Sequence, residues 1–243
     1  MILSRRTSLA LTLTFALTVS AWAQNDTALP TGSSPLTIVQ TDEIVFPRTL
    51  RKSGVDHGEA WVALNVDAAG HLQDLLVTAY TRREFADEAA AALKRWRFRP
   101  AVLHGEPVAT VREVHFIFSL AGVRVENLSG IDMIARYLDR PNKERLVYRV
   151  SALRELDDIP VPVRVVQPSF PAALHDKGVS GTITVEFYID DAGHVRLPAV
   201  TDWNQPELAN LALDAVREWQ FETPLQKGRP AVVLARQKFI FSQ

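Results

Sequence analysis

Residues 58–119 of this chain occur a second time, as residues 181–242. A shift of 123 positions lays one stretch on the other without a gap, and 20 of the 62 positions are identical. The shared residues include Asp67 and Asp190, the Ala-Gly-His triplets 69–71 and 192–194, and Trp96 and Trp219. They also include Phe98 and Phe221, Gly105 and Gly228, Pro107 and Pro230, and a closing Phe-Ile-Phe-Ser. Such a repeat constrains architecture before any other signal does. Each copy is longer than one super-secondary unit. The 243 residues therefore read as two small domains rather than one large one.

Both copies share one plan. Phe46-Pro47 opens a short helix with Pro in its first turn, and Gly54 ends it; Phe170-Pro171 to Gly178 repeats this. A strand comes next. Ile183, Val185, Phe187 and Ile189 alternate with Thr182, Thr184, Glu186, Tyr188 and Asp190, and Ala60, Val62, Leu64 and Val66 take the same places in the first copy. This alternation predicts one buried face and one wetter face. Asp67 to Gly70 and Asp190 to Gly193 read as hairpin turns. The next strands, 72–80 and 195–203, alternate less cleanly, and Pro198 marks an edge or a bulge. Phe85, Ala89, Ala92, Leu93 and Trp96 then form one helical stripe, copied by Leu208, Ala212, Ala215, Val216 and Trp219. After a Gly-x-Pro turn, a last strand points Phe116 and Phe118, or Phe239 and Phe241, inward. The expected fold class is α+β: two tandem αββαβ units, each a small three-stranded antiparallel sheet with helices on one face.

Outside the copies the chain has three further parts. Residues 1–23 carry Arg5-Arg6, an apolar run over 9–21 and a small-x-small site at Ala21-Trp22-Ala23. That is a signal-peptide pattern with cleavage after Ala23, and the run is shorter than the ~20 residues of a membrane-spanning helix. An uncleaved inner-membrane anchor is the alternative. Residues 24–36 read as a flexible leader rich in Pro, Gly and Ser. Unit 1 is expected over 37–119, a connector over 120–160 and unit 2 over 161–243. In the connector, 131–138 has the pattern of a short helix and 145–150 that of a strand. The connector is too apolar to be a tether and is expected to dock on a domain.

Composition narrows the chemistry. Formal net charge is −1, which gives no electrostatic reason for nucleic acid or an anionic membrane as partner. The absence of cysteine excludes disulfides, thiolate metal sites and a Cys nucleophile. His71 and His194 come after turn glycines, with no second ligand at useful spacing. Asp67, Asp190 and Asp191 fit turn chemistry rather than calcium binding or acid–base work. No nucleophile elbow, H-E-x-x-H, phosphate loop or dinucleotide fingerprint occurs. No cofactor, metal or enzymatic activity is expected.

The order of motifs resembles the C-terminal domain of TonB energy transducers. The second copy carries it best, in Pro168-Ser-Phe170-Pro171, Gly181, Val185, Phe187, Ile189-Asp190, Gly193, Ala215-Val216, Trp219, Phe221, Gly228 and Pro230. The first copy fits from Phe46 onward but lacks the earlier Pro, and both copies have Phe where the family usually has Tyr. The resemblance implies a periplasmic protein that grips a peptide segment of an outer-membrane receptor, added as a strand beside the last strand of the domain. The implied partner-binding residues are Val233, Leu234, Ala235, Arg236, Gln237, Lys238 and Phe239 in the second copy, and Val111, Glu113 and His115 in the first. The physics is general, since an unpaired sheet edge is a template for an incoming strand. Four to six backbone bonds of about 1 kcal/mol each give micromolar-to-millimolar binding. The residues between the signal segment and unit 1 would reach only roughly 40 Å as polyproline II, so force transmission across a periplasm is not expected. Arg236 and Lys238 read as a solvated edge or as contacts to an acidic peptide. Trp61 packs on the connector or the other unit, or helps hold a partner. The competing reading is a structural or homodimerising envelope module whose edges pair with each other.

Overall fold

The computed structural model describes residues 31–128 and 146–242. Folded chain starts earlier than the expected leader boundary: Ser34 bridges Val102, and Leu36 is buried in the first core. An apolar Leu that reaches the core is held there by the burial of its side chain. The strand β1 (Thr37–Gln40) comes next. The helix α1 (Arg48–Lys52) begins after Pro47 and ends before Gly54. After it run β2 (His57–Val66), β3 (Leu72–Tyr80) and the helix α2 (Arg83–Leu93), which buries Phe85, Ala89, Ala92 and Leu93. The short strand β4 (Arg97–Arg99) pairs with β1. β5 (Ala101–Leu103) and β6 (Glu106–Val108) form a small hairpin that delivers the chain to β7 (Thr110–Ser119). β8 (Gly122–Leu128) then turns straight back along β7.

The chain reaches the second unit by two short strands. β9 (Tyr148–Arg149) joins β3 in antiparallel fashion, and β10 (Ser151–Ala152) leaves the first sheet for the second. The strand expected over 145–150 is thus only two residues long. The helix expected over 131–138 lies outside the described residues. A 3-10 turn at Leu153–Glu155 succeeds β10.

The second unit runs through β11 (Pro162–Arg164), the helix α3 (Ala172–His175), β12 (Gly181–Ile189) and β13 (Val195–Trp203). After these come the helix α4 (Ala209–Arg217), β14 (Gln220–Phe221), the pair β15 (Leu225–Gln226) and β16 (Arg229–Pro230), and finally β17 (Val233–Phe241). The architecture is mixed α+β, with more strand than helix. Neither main sheet stops at three strands. The first has the order β8-β7-β2-β3-β9, and the second has β10-β17-β12-β13. The connector supplies all three extra strands. Unpaired backbone groups at a sheet border favour this capture of neighbouring chain.

Each sheet covers its own core on one face. The first core gathers Val62, Leu64, Phe85, Leu93, Trp96, Phe116 and Phe118. The second gathers Ile183, Val185, Phe187, Leu208, Val216, Phe239 and Phe241. The opposite faces are not the wetter faces that alternation predicts, because they pack on each other. Ala63, Val150, Tyr188 and Leu197 form a third buried cluster between the units, edged by Leu76, Val111 and Leu234. Arg196 of β13 clamps the pair, donating from Nε to Asp74 Oδ2 at 2.8 Å and from Nη2 to Leu75 O at 3.1 Å. β12 is consequently buried on both faces from Ile183 to Ile189.

Candidate functional site: the border of the last strand

The repeated Asp-x-x-Gly segments are turns closed by their own aspartates. Asp67 Oδ1 accepts from the N–H groups of Ala69 and His71, and Asp190 Oδ1 from those of Ala192 and His194. These backbone donors, the His71 N–H foremost, hold the Asp67 carboxyl below its ordinary range. His71 and His194 lie beside their own turn aspartates. Among the described residues no group of three His, Asp or Glu side chains is placed to hold a metal ion.

β17 carries most of the sequence-derived candidates. It pairs with β12 along nine positions, from Gly181↔Phe241 to Ile189↔Val233. Val233, Ala235, Phe239 and Phe241 are buried, the phenylalanines in the second core, which fixes the strand firmly. On its other side β17 is paired only at Val233 and Leu234, by the parallel strand β10. Among the described residues, the backbone border from 235 to 241 has no strand beside it. Ala235, Arg236, Gln237, Lys238 and Phe239 lie on this stretch. Val233 and Leu234 do not, because the connector already occupies their rungs.

The outward face of the border mixes charge and grease. Arg236 donates from Nε to Glu186 Oε1 at 2.7 Å, neutralising a carboxylate that is only 3% exposed. Lys238 is exposed, and Ile240 is 74% exposed. Ile240 stands beside backbone that has no neighbouring strand among the described residues, where an extended chain added to the border would meet it.

The corresponding border of the first unit is closed from Glu113 to Ser119. β8 pairs with β7 from Ser119↔Gly122 to Glu113↔Leu128. Glu113 and His115 are therefore on an interior strand, and both side chains are buried. Glu113 accepts from the Thr78 hydroxyl. His115 Nε2 lies 2.8 Å from Glu59 Oε2, and its ring stacks on Trp61 at 4.2 Å. Val111, just beyond β8, packs into the cluster between the units. The expectation of a binding border is corrected at Glu113 and His115, because a two-residue turn at Leu120-Ala121 lets the chain pair β7 itself from Glu113 to Ser119; Val111 lies past the last of those pairs. Trp61 is buried against His115 rather than facing a partner.

Two tyrosines lie in or beside the space between the units. Burial, reinforced by the Glu113 and Glu186 carboxylates, pushes the Tyr188 hydroxyl far above its ordinary range and keeps it neutral. Tyr148 is pushed up to about 12, mainly by burial. The residues that cap β17, Ser151 and Ala152 with Glu155 behind them, escaped sequence reasoning. A two-residue strand leaves no periodic signal.

Two helix-backed antiparallel sheets, one with its last strand mostly covered and one with it half open, define a tandem α+β sheet module. Comparison with known proteins gives this module its family. The sequence matches the family described as Gram-negative bacterial TonB protein C-terminal over residues 42–120 and again over 166–242, and the chain belongs to that family. Protein TonB of Pseudomonas aeruginosa is 29% identical over 109 residues, which is 43% of this chain and 32% of that protein. The chain thus spans about a third of the length of this relative. The solution NMR structure of the Pseudomonas aeruginosa TonB C-terminal domain is 22% identical, with a TM-score of 0.33, and covers 40% of this chain and 96% of that domain. Among the described residues no helix is long and apolar enough to cross a membrane.

Proposed function

We propose that this protein is a TonB-like binding protein of the periplasm that recognises an extended segment of an outer-membrane or envelope transport protein, by adding it as a strand to β17. The observation that carries the reading is the border over 235–241. It is rigidly backed by nine pairs to β12 and is unpaired on its other side among the described residues. Family membership over both segments supports the partner class. The two matched segments are read as duplicated αββαβ units; among the described residues the second keeps the longer accepting border, since β8 takes up Glu113–Ser119 of the first. An exported chain with a cleaved signal peptide at residues 1–23 completes the proposal, and it assigns the protein no catalytic step.

The test is isothermal titration of the purified chain with synthetic peptides from the N-terminal segments of TonB-dependent receptors. We expect micromolar-to-millimolar binding of one peptide per chain. Saturation at two peptides, or none bound up to millimolar concentration, overturns the reading. The exposed Ile240 on the same border favours one competitor, a homodimer joined edge to edge through β17. Light scattering that finds a dimer dissociated by peptide would show both partners using one border.

A further inference from the structure

The docking border is not simply open at one end; the chain itself holds that end. Ser151 and Ala152 lie parallel to Val233 and Leu234, where an incoming strand would otherwise pair. The Ser151 N–H donates to Val232 O at 2.8 Å. The fastening that keeps these residues in place is almost entirely polar. Glu155 forks onto Arg149 at 2.7 and 2.5 Å and also accepts from the Ala152 N–H at 2.9 Å. Asp157 accepts from the Lys227 and Gly228 N–H groups, each at 2.7 Å. Of residues 151–158 only Ser151 is buried, although Leu156 packs in part against the second core. Few buried apolar side chains, part-buried bonds at Glu155 and solvent-exposed bonds at Asp157 mark a segment that opens without unfolding the body beneath it. Parallel pairing, the weaker kind, adds to this.

We propose that residues 151–157 form a displaceable clip, a resident strand that competes with the incoming one and limits the resting border to residues 235–241. Opening of the clip exposes two further rungs on β17 while β17 stays on β12. Glu155 and Asp157 are the two fasteners, one at the end of the 3-10 turn and one just after it. The consequence for peptide length rests on the strand-addition reading; the opening itself does not.

Native-state hydrogen exchange on the full chain tests the opening. The Ser151, Ala152, Lys227 and Gly228 amides report on it directly. We expect them to exchange as one group, at least about 100-fold faster than the β12 amides. Glu155→Gln should accelerate all four, including Lys227 and Gly228, which Glu155 does not touch. If only Ala152 responds, or if the group exchanges no faster than β12, the clip is a fixed part of the fold and the proposal fails. The peptide arm uses a seven-residue and a nine-residue version of one receptor peptide. Because the chain has no cysteine, Ala152→Cys with Leu234→Cys gives a single cross-strand disulfide that locks the clip. We expect the locked form to bind both lengths alike. Glu155→Gln should bind the longer one about tenfold more tightly, the worth of one or two extra backbone bonds. A longer peptide that gains equally on the locked form overturns the length limit. If no peptide binds either form, strand addition fails, and the exchange data alone decide the clip.

Discussion

A methyl group on Gly193 would stand 2.0 Å from the carbonyl oxygen of Phe221, and the residue has φ of +84°. Gly228 has φ of +70° but nothing within 4 Å of the same position. Both glycines belong to the repeat, yet they answer different demands. Gly228→Ala should cost about 1 kcal/mol, the strain of a left-handed backbone alone. Gly193→Ala should cost more, because it must also displace the chain leaving β14. Urea titration of the two variants checks the order, and equal losses would contradict it. Arg236 presents a different residue-scale case. Its guanidinium is mostly solvated, but its partner Glu186 is buried. Arg236→Ala should therefore cost about 1–2 kcal/mol and, on the docking reading, should also alter peptide affinity. Lys238→Ala should change affinity without changing stability.

At the scale of elements, the fate of an edge strand depends on the segment next after it in the chain. β7 and β17 share Phe-Ile-Phe, followed in both copies by Ser, yet among the described residues β8 covers β7 from Glu113 to Ser119 whereas β17 is capped only over its first two residues. Single occupancy in the peptide titration is the expected result of that difference. The clip adds a dependence on pH. Arg149 above all holds the Glu155 carboxyl below its ordinary range, helped by the Ala152 N–H and by Arg154, and the Gly228 N–H does the same for Asp157, with Lys227. A depressed carboxyl stabilises the folded form above its unfolded value and loses that contribution as pH falls through the folded value. The clip should therefore be fully fastened at neutral pH and loosen below about pH 4. The Gly228 amide shift, tracked by NMR from about pH 7 to about pH 3, spans that range, and Asp157→Asn should flatten its curve.

At the scale of the whole molecule, the two units form a single packed body. Leu197, at φ of +50°, projects from the bulged strand β13 into the cluster shared with Ala63 and Val150. Arg196 beside it grips Asp74. This interface turns the polar faces of both sheets inward and leaves Thr78, Glu113, Thr184 and Glu186 buried. The wild-type chain should unfold in one cooperative transition. Arg196→Ala with Leu197→Asp should split that transition in two and enlarge the radius of gyration in solution scattering. A single transition in the double variant would mean that the units are coupled elsewhere, most directly through β9 and β10.

The sequence alone determined the repeat, the helical stripes around Phe85 and Leu208, the Asp-x-x-Gly hairpins and the three long strands at the centre of each sheet. Those features are local: they depend on periods of 2 and 3.6 and on the conformational demands of a turn. Tertiary structure alone decided which borders are open. β8 and β10 are too short or too ordinary in composition to announce themselves, and of the strand expected over 145–150 only the two residues of β9 form. They exist as strands because a neighbouring border lends them hydrogen-bond partners. The same holds for the second face of each sheet: Glu186 and Tyr188 look like solvent-facing residues until another sheet covers them. A binding border is a statement about which backbone groups the rest of the chain leaves unpaired, and that is settled only by where the whole chain comes to rest.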